Sequence, residues 1–283
     1  MMTLEQRFPG RRALITGATS GYGEALAFAL AARGWKIAVT GRQHAGVTRT
    51  VEEVNRLGGT GLGLLLEVRE ESQWDSARQA LVQHWGGIDL LVNNAGIADS
   101  NKITEISSSD WADLMSTNLH GVINGCRAFI AGMSAQGGGH ILNVASAAGL
   151  LCMPEMANYN VSKAGVVALS ETLRAELSGA QIGVTVLCPS AFKSCLLDNA
   201  LREGRDMGSA SAIGRFLKRD MERGKHTSQS VAAHVLKDIR QGKLYSIPQP
   251  LYGLAWLLKR IAPNTFYQVV GWMYRRRLGL FAA

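Results

Sequence analysis

The chain has 283 residues, enough for one α/β domain with a large core, and its 47% hydrophobic and 18% charged residues exclude broad disorder and repetitive or collagen-like architectures. Its net charge of +8 is unevenly placed: residues 1–200 hold 15 basic and 17 acidic residues, whereas residues 201–283 hold 15 and 5. A basic balance confined to the tail, with no recognised binding motif beside it, argues against a nucleic-acid surface.

The opening stretch MMTLEQRFPGRRALITG lacks the continuous apolar core of a signal peptide, and no segment reaches the roughly 18 apolar residues needed to cross a bilayer. A cytoplasmic protein is expected. Cys126, Cys152, Cys188 and Cys195 show no paired metal-ligand spacing and are expected as buried, reduced thiols. The six histidines, His44, His84, His120, His140, His226 and His234, form no metal or hydrolytic arrangement, so no metal is expected.

RRALITGATSGYGEALAFALAARGWKIAVTGR reads as strand, glycine turn, helix and strand, a βαβ unit in outline. Helices near 45–57 and 72–85 then alternate with the strands GLGLLLEV and IDLLVNNAG. A long helix near 108–135, the strand HILNVAS, a helix beginning near Tyr159, the strand IGVTVLCPS and a late strand KLYSIP complete the series. Apolar strands without alternation, separated by single helices, predict a parallel sheet covered on both faces. The expected fold is α/β, a Rossmann-type doubly wound sheet with ligands at the carboxyl ends of its strands. A single catalytic domain is expected over 1–250, with a substrate loop at about 191–225, followed by a basic, aromatic-rich extension over 251–283.

TGATSGYG, Thr16 to Gly23, lies where the first strand gives way to a helix. Gly17 permits the turn, and Gly21 and Gly23 let backbone approach a pyrophosphate at the positive helix N-terminus. Tyr159 and Lys163, four apart, share a helix face. A lysine ammonium near a phenol favours the phenolate, which an acid/base tyrosine needs in order to cycle near neutrality.

The spacing T-G-x-x-x-G-x-G, followed in order by NNAG, NVAS, YNVSK and CPS, resembles the classical short-chain dehydrogenase/reductase family over about residues 10–195. The resemblance implies cofactor contacts from Gly17, Thr19, Ser20, Gly21, Tyr22 and Gly23, and from Asn94, Ala95 and Gly96. It implies that Ser146 polarises the substrate oxygen, Tyr159 exchanges the proton, and Lys163 binds the nicotinamide ribose and lowers the Tyr pKa. Asn118 matches the family's fourth catalytic position, where it keeps a helix kink hydrated and links the lysine to a proton relay. Glu67 and Val68 replace the family's Asp-Val adenine contact, while Pro189 and Ser190 replace its Pro-Gly. Ser194 stands near its carboxamide-binding threonine. Where NAD-binding relatives carry a carboxylate after the second strand, this chain has Gly41 and Arg42; a guanidinium there suits a 2′-phosphate, so NADP(H) is expected.

The expectation is therefore an NADP(H)-dependent oxidoreductase interconverting a carbonyl and an alcohol, acting on a small molecule and, like its family, homo-oligomeric. A non-catalytic NADP-binding sensor or scaffold on the same fold is the alternative. Leu196, Leu197, Ile213, Phe216 and Leu217 could line an apolar substrate pocket. In the extension, Trp256, Phe266, Tyr267, Trp272 and Tyr274 beside basic residues fit peripheral contact with an anionic membrane, and equally packing on the subunit, on a neighbour or as a lid.

Overall fold

The computed structural model describes residues 3–193, 211–223 and 226–282. Helix α1 (Leu4–Arg7), closed by a Thr3/Gln6 capping box, leads into β1 (Arg12–Ile15), and α2 (Gly21–Ala31) follows the glycine turn. Then come β2 (Lys36–Gly41), α3 (His44–Arg56), β3 (Thr60–Leu65), α4 (Glu71–Trp85) and β4 (Leu90–Asn93). The chain continues through α5 (Ser108–Met115), α6 (Gly121–Ala135), β5 (Gly139–Val144), α7 (Ala147–Leu151), α8 (Ala157–Glu176) and β6 (Ile182–Leu187). It closes with α9 (Ala212–Arg223), α10 (Ser228–Arg240), β7 (Tyr245–Ser246), α11 (Pro250–Ile261) and α12 (Pro263–Arg276).

The seven strands among the described residues are all parallel, in the order β3-β2-β1-β4-β5-β6-β7. The order reverses between β1 and β4, and that switch point opens a crevice at their carboxyl ends. The inner strands are buried along nearly their whole length, as unalternating apolar runs require, whereas β3, an edge strand, alternates in exposure. On one face of the sheet Leu26 and Leu30 of α2 pack with Val231, Val235 and Ile239 of α10. On the other, Trp74 of α4, Phe129 of α6 and Val166 of α8 form the second layer.

The helix expected over 108–135 is broken by a π-helical turn at Ser116–His120, where the Gly121 N–H reaches back to the Ser116 carbonyl. One extra residue in that turn rotates Asn118 into the interior, where it is fully buried. The C-terminal segment folds onto the body: Tyr252, Trp256 and Phe266 pack against the second core layer, and Val270 and Phe281 join a third cluster beyond the strand ends. No helix is long and apolar enough to cross a membrane among the described residues.

Buried amides fix the elements that carry the site. Asn93 Nδ2 donates to Asn143 Oδ1 at 2.9 Å, and Asn143 Nδ2 donates to Ser170 Oγ at 3.0 Å, tying β4 to β5 and β5 to α8. Asn143→Ala should lower stability by about 1–3 kcal/mol, because it strands two buried polar partners; urea unfolding measures the loss, and an unchanged midpoint would remove this network from the account of the fold.

Candidate active site

After β1, Gly17 and Gly21 take left-handed backbone conformations, φ 61° and 59°, which glycine adopts without strain. A Cβ on Gly23 would stand 2.4 Å from Asn94 Nδ2 and 2.6 Å from the Gly17 carbonyl, so only glycine lets α2 start this close to the turn. Asn94 Nδ2 donates to the Thr16 and Gly17 carbonyls at 2.7 and 3.2 Å, and the Asn94 and Ala95 N–H groups donate to Thr16 Oγ1. The turn after β1 and the loop after β4 are thus one rigid unit. Ser20 is the N-cap of α2 yet makes no side-chain cap hydrogen bond, leaving a helix N-terminus suited to an anionic group. The Tyr22 ring instead packs edge-on against Phe192, with its hydroxyl buried and without a hydrogen-bond partner. Of the expected Tyr22 contacts, the main chain is therefore the part that can face a cofactor.

At the end of β2, Gly41 leaves room for Thr19, whose Cγ2 would lie 2.7 Å from any Cβ added there. An acidic side chain at position 41 would have to displace that threonine. Arg42, Leu65, Leu66, Glu67, Gln73 and Ser76 line an open cleft of about 500 Å³ beside it. Burial pushes the Glu67 carboxyl up, but its hydrogen bonds from Arg69 and the nearby Arg42 charge outweigh this, holding it below its ordinary value. Val68 is buried; its carbonyl accepts Trp74 Nε1 at 2.9 Å and Asn124 Nδ2 at 3.2 Å. Glycine turn, helix N-terminus and the cleft beside Arg42 together fit a dinucleotide.

Ser146, Tyr159 and Lys163 meet beyond the carboxyl end of β5. Ser146 caps α7: its Oγ accepts the Ala148 N–H at 3.1 Å and donates to the Pro189 carbonyl at 3.4 Å. Burial pushes the nearby Tyr159 phenol up in pKa, and the Ser146 hydroxyl pulls it down. Lys163 Nζ donates to the Val144 carbonyl at 3.0 Å and lies 5.7 Å from the Tyr159 ring centroid. In this structure, then, the interaction that eases loss of the Tyr159 proton comes from Ser146, because the ammonium is aimed at Val144 and over the ring face. Asn118 Oδ1 accepts the Ile97 N–H at 2.8 Å, while Nδ2 donates to the Ile97 carbonyl at 2.8 Å and to Ser162 Oγ at 3.3 Å. Gly96 stands between Asn118 and Lys163: a Cβ there would lie 3.1 Å from Asn118 Oδ1 and 3.4 Å from Lys163 Nζ.

Pro189 closes the site through its carbonyl. The Ser190 N–H donates to Gln249 Oε1 at 3.1 Å, and its side chain is hydrogen-bonded to Tyr252, so this position leans on the C-terminal segment. Ser194, Leu196, Leu197 and Cys195 lie outside the described residues. Ile213 is buried in the cluster that contains Tyr159, with Phe216 and Leu217 packed against it.

Glu155 was not foreseen. Buried, with φ 62°, it accepts the Ala212 and Ile213 N–H groups on Oε2 at 2.7 and 3.3 Å and the Tyr274 hydroxyl on Oε1 at 2.9 Å. One carboxylate thus joins the start of α9 and the end of α12 to the loop that precedes Tyr159. Its only sequence context, MPEM, carries no motif.

The short chain dehydrogenase family model matches residues 11–205. This chain belongs to the short-chain dehydrogenase family. It is 31% identical over 239 residues to the putative oxidoreductase SadH of Mycobacterium tuberculosis, covering 83% of this chain and 85% of that protein. Against the 3-oxoacyl-(acyl-carrier-protein) reductase FabG of Vibrio cholerae, identity is 33% over 185 residues, 65% of this chain and 75% of the relative. A short chain dehydrogenase/reductase from Burkholderia phymatum, solved in complex with NAD, superimposes with a TM-score of 0.82 at 32% identity, covering 90% of this chain and 94% of that one. As a short-chain dehydrogenase the protein is a nicotinamide-dependent oxidoreductase of the carbonyl/alcohol class.

Burial lowers the Lys163 pKa from 10.5 to about 8, against an opposing contribution from Cys188. Between those two values the unfolded chain keeps a proton that the folded dehydrogenase has shed, so stability from this group rises with pH across the window and is lowest below about 8. Lys163→Met should remove that rise. Urea midpoints of both proteins across the window test it, and identical pH profiles would mean the buried cation is not what sets the slope.

Proposed function

We propose that this short-chain dehydrogenase is an NADP(H)-dependent enzyme that interconverts a carbonyl and an alcohol on a hydrophobic substrate. The observation that carries the reading is the meeting of Ser146, Tyr159 and Lys163 beside a glycine turn built for a dinucleotide. When bound, the nicotinamide supplies or accepts the hydride. Ser146 holds the substrate oxygen with a hydroxyl whose position is fixed by its cap on α7 and its bond to Pro189. Tyr159, whose pKa Ser146 pulls down against burial, gives its phenolic proton to the oxygen in reduction and takes it back in oxidation.

Lys163 is protonated near neutrality, because its pKa of about 8 lies above that pH. Its charge, held in a site screened from water, would add to the Ser146 contribution in favouring the phenolate once Nζ turns from Val144 toward the phenol, and the same donors would serve a ribose in the crevice. Asn118 is a positioning residue: by clamping both polar groups of Ile97 it fixes the loop that carries Gly96.

Arg42 supports the phosphate preference. It faces the cleft at the end of β2, where Gly41 and Thr19 occupy the space of the usual carboxylate and Glu67 is engaged by Arg69. An apolar wall from Ile213, Met156 and Val270 around Tyr159 supports a hydrophobic substrate rather than a free sugar.

Tyr159→Phe should lower kcat by about 100-fold or more while leaving cofactor binding in place, as loss of a general acid does. NADPH oxidation with a panel of lipophilic aldehydes and ketones measures it; cofactor binding without turnover in either protein would favour the sensor reading. Arg42→Ala should raise the Kd for NADPH by about 10-fold or more with little change for NADH, the scale of a hydrogen bond to a charged group. Equal losses for both cofactors would overturn the NADP assignment.

A further inference from the structure

The last two helices have two unlike faces. Inward, Tyr252, Trp256, Phe266 and Val270 pack on the protein. Outward, α11 shows an aliphatic stripe: Leu251, Leu254, Leu258 and Ile261 recur at i, i+3, i+7 and i+10, with Leu257 beside them, and they are 51–72% exposed. On α12, Val269 and Trp272, about half exposed, share a stripe with Arg276. Five unbroken aliphatic positions on a solvent-facing helix exceed the scattered apolar residues an ordinary surface carries.

Charge identifies the occupant. Residues 251–283 contain Lys259, Arg260, Arg275, Arg276 and Arg277 and no carboxylate. Lys259 Nζ is turned inward, donating to the Leu150 carbonyl at 2.6 Å, and Arg277 lies 3.9 Å from Glu155. Arg260, its guanidinium 5.2 Å from the Trp256 ring centroid, and Arg275 and Arg276 are exposed along the rim of the aliphatic face. A two-fold pairing of chains sets a patch against its own image, and here would bring cation towards cation. An anionic bilayer satisfies both halves of the surface: acyl chains receive the leucines and headgroups receive the arginines.

We infer that α11 and α12 form a docking surface for an anionic membrane, on which the protein lies without crossing it. The inner face of α12 contributes Val270 to the cluster around Tyr159, so docking would set the substrate wall one helix away from the lipid. The inference is separate from the catalytic reading, since binding to vesicles requires no turnover.

Truncating the chain before α11 would strip Trp256 and Phe266 from the core, so point changes on the outer face are the test. The intact protein is sedimented with vesicles of phosphatidylcholine alone and of equal parts phosphatidylcholine and phosphatidylglycerol. It should pellet with the anionic vesicles, less so as salt is raised. Arg275→Gln with Arg276→Gln should weaken that binding by about 10-fold or more. Leu254→Asp with Leu258→Asp should abolish it, circular dichroism confirming that the fold is kept; should that pair misfold, the arginine pair and the salt dependence decide alone. Failure to pellet with either vesicle, equal pelleting with both, or binding indifferent to the folded variants would overturn the inference. So would a homodimer that the leucine pair dissociates in a protein that does not bind vesicles, which would assign the face to a second copy of the chain.

Discussion

A buried ammonium is the constraint around which this site is built. Lys163 is 4% exposed, and a charge so placed is costly unless it has polar partners. Its partner is the Val144 carbonyl at the end of β5, where the sheet stops consuming main-chain acceptors in strand pairing. To bring Nζ there, α8 must cross the strand ends at close range. Helix α7 packs on α8 at Lys163 just as closely: a Cβ on Gly149 would stand 2.6 Å from the Lys163 carbonyl. Gly96 is tightly placed as well, since a Cβ there would press on Asn118 Oδ1 at 3.1 Å and Lys163 Nζ at 3.4 Å. The buried cation costs stability, and it stands 5.7 Å from the Tyr159 ring centroid, where solvent screening is weak.

Rigidity passes from this centre to the nucleotide turn through a few polar groups. Thr16 and Asn94 tie β1 to β4, Asn93 and Asn143 tie β4 to β5, and Ser170 ties β5 to α8. Each bond spans two elements that supply different parts of the crevice, and each is short and buried or partly buried. Pre-organisation matters here because hydride transfer depends on the relative placement of two bound molecules, and a site that reorganised on binding would lose that advantage. The π-turn belongs to the same design. By rotating Asn118 inward it converts a surface position of a long helix into a clamp on Ile97.

Short-range features were the legible ones in the sequence. Strand cores such as ALI and LLV are continuous apolar runs, the Gly17 and Gly21 turn demands positive φ, and Tyr159 and Lys163 share a helix face by spacing alone. The kink at Asn118 was implied by the family resemblance alone; its π-helical form was not legible, because a single inserted position within 108–135 leaves the composition of the helix unchanged. Nor was the orientation of the tail: Trp256, Phe266 and Tyr274, which read as candidates for an interface with lipid, face the protein, and Leu251, Leu254 and Leu258 face out. Aromatic rings and leucines are equally apolar to a pattern, and only the shape of the surface beneath α11 and α12 decides which face it receives.

The substrate wall shows the same limit in its strongest form. Glu155, Ala212 and Tyr274 are separated by more than fifty residues each, yet one carboxylate holds all three. A carboxylate at the first amides of α9 satisfies donors that the helix cannot satisfy itself and matches its positive end. The same group receives the Tyr274 hydroxyl, so the wall over Tyr159 and the helix that carries the exposed face are fastened at one point. Chemistry in this family is carried by local motifs, whereas the fit of a substrate depends on contacts between distant segments. The fold keeps the two apart: Ser146, Tyr159 and Lys163 are placed by the end of β5 and by α8, whereas the apolar cluster beside Tyr159 is completed by α9 and α12.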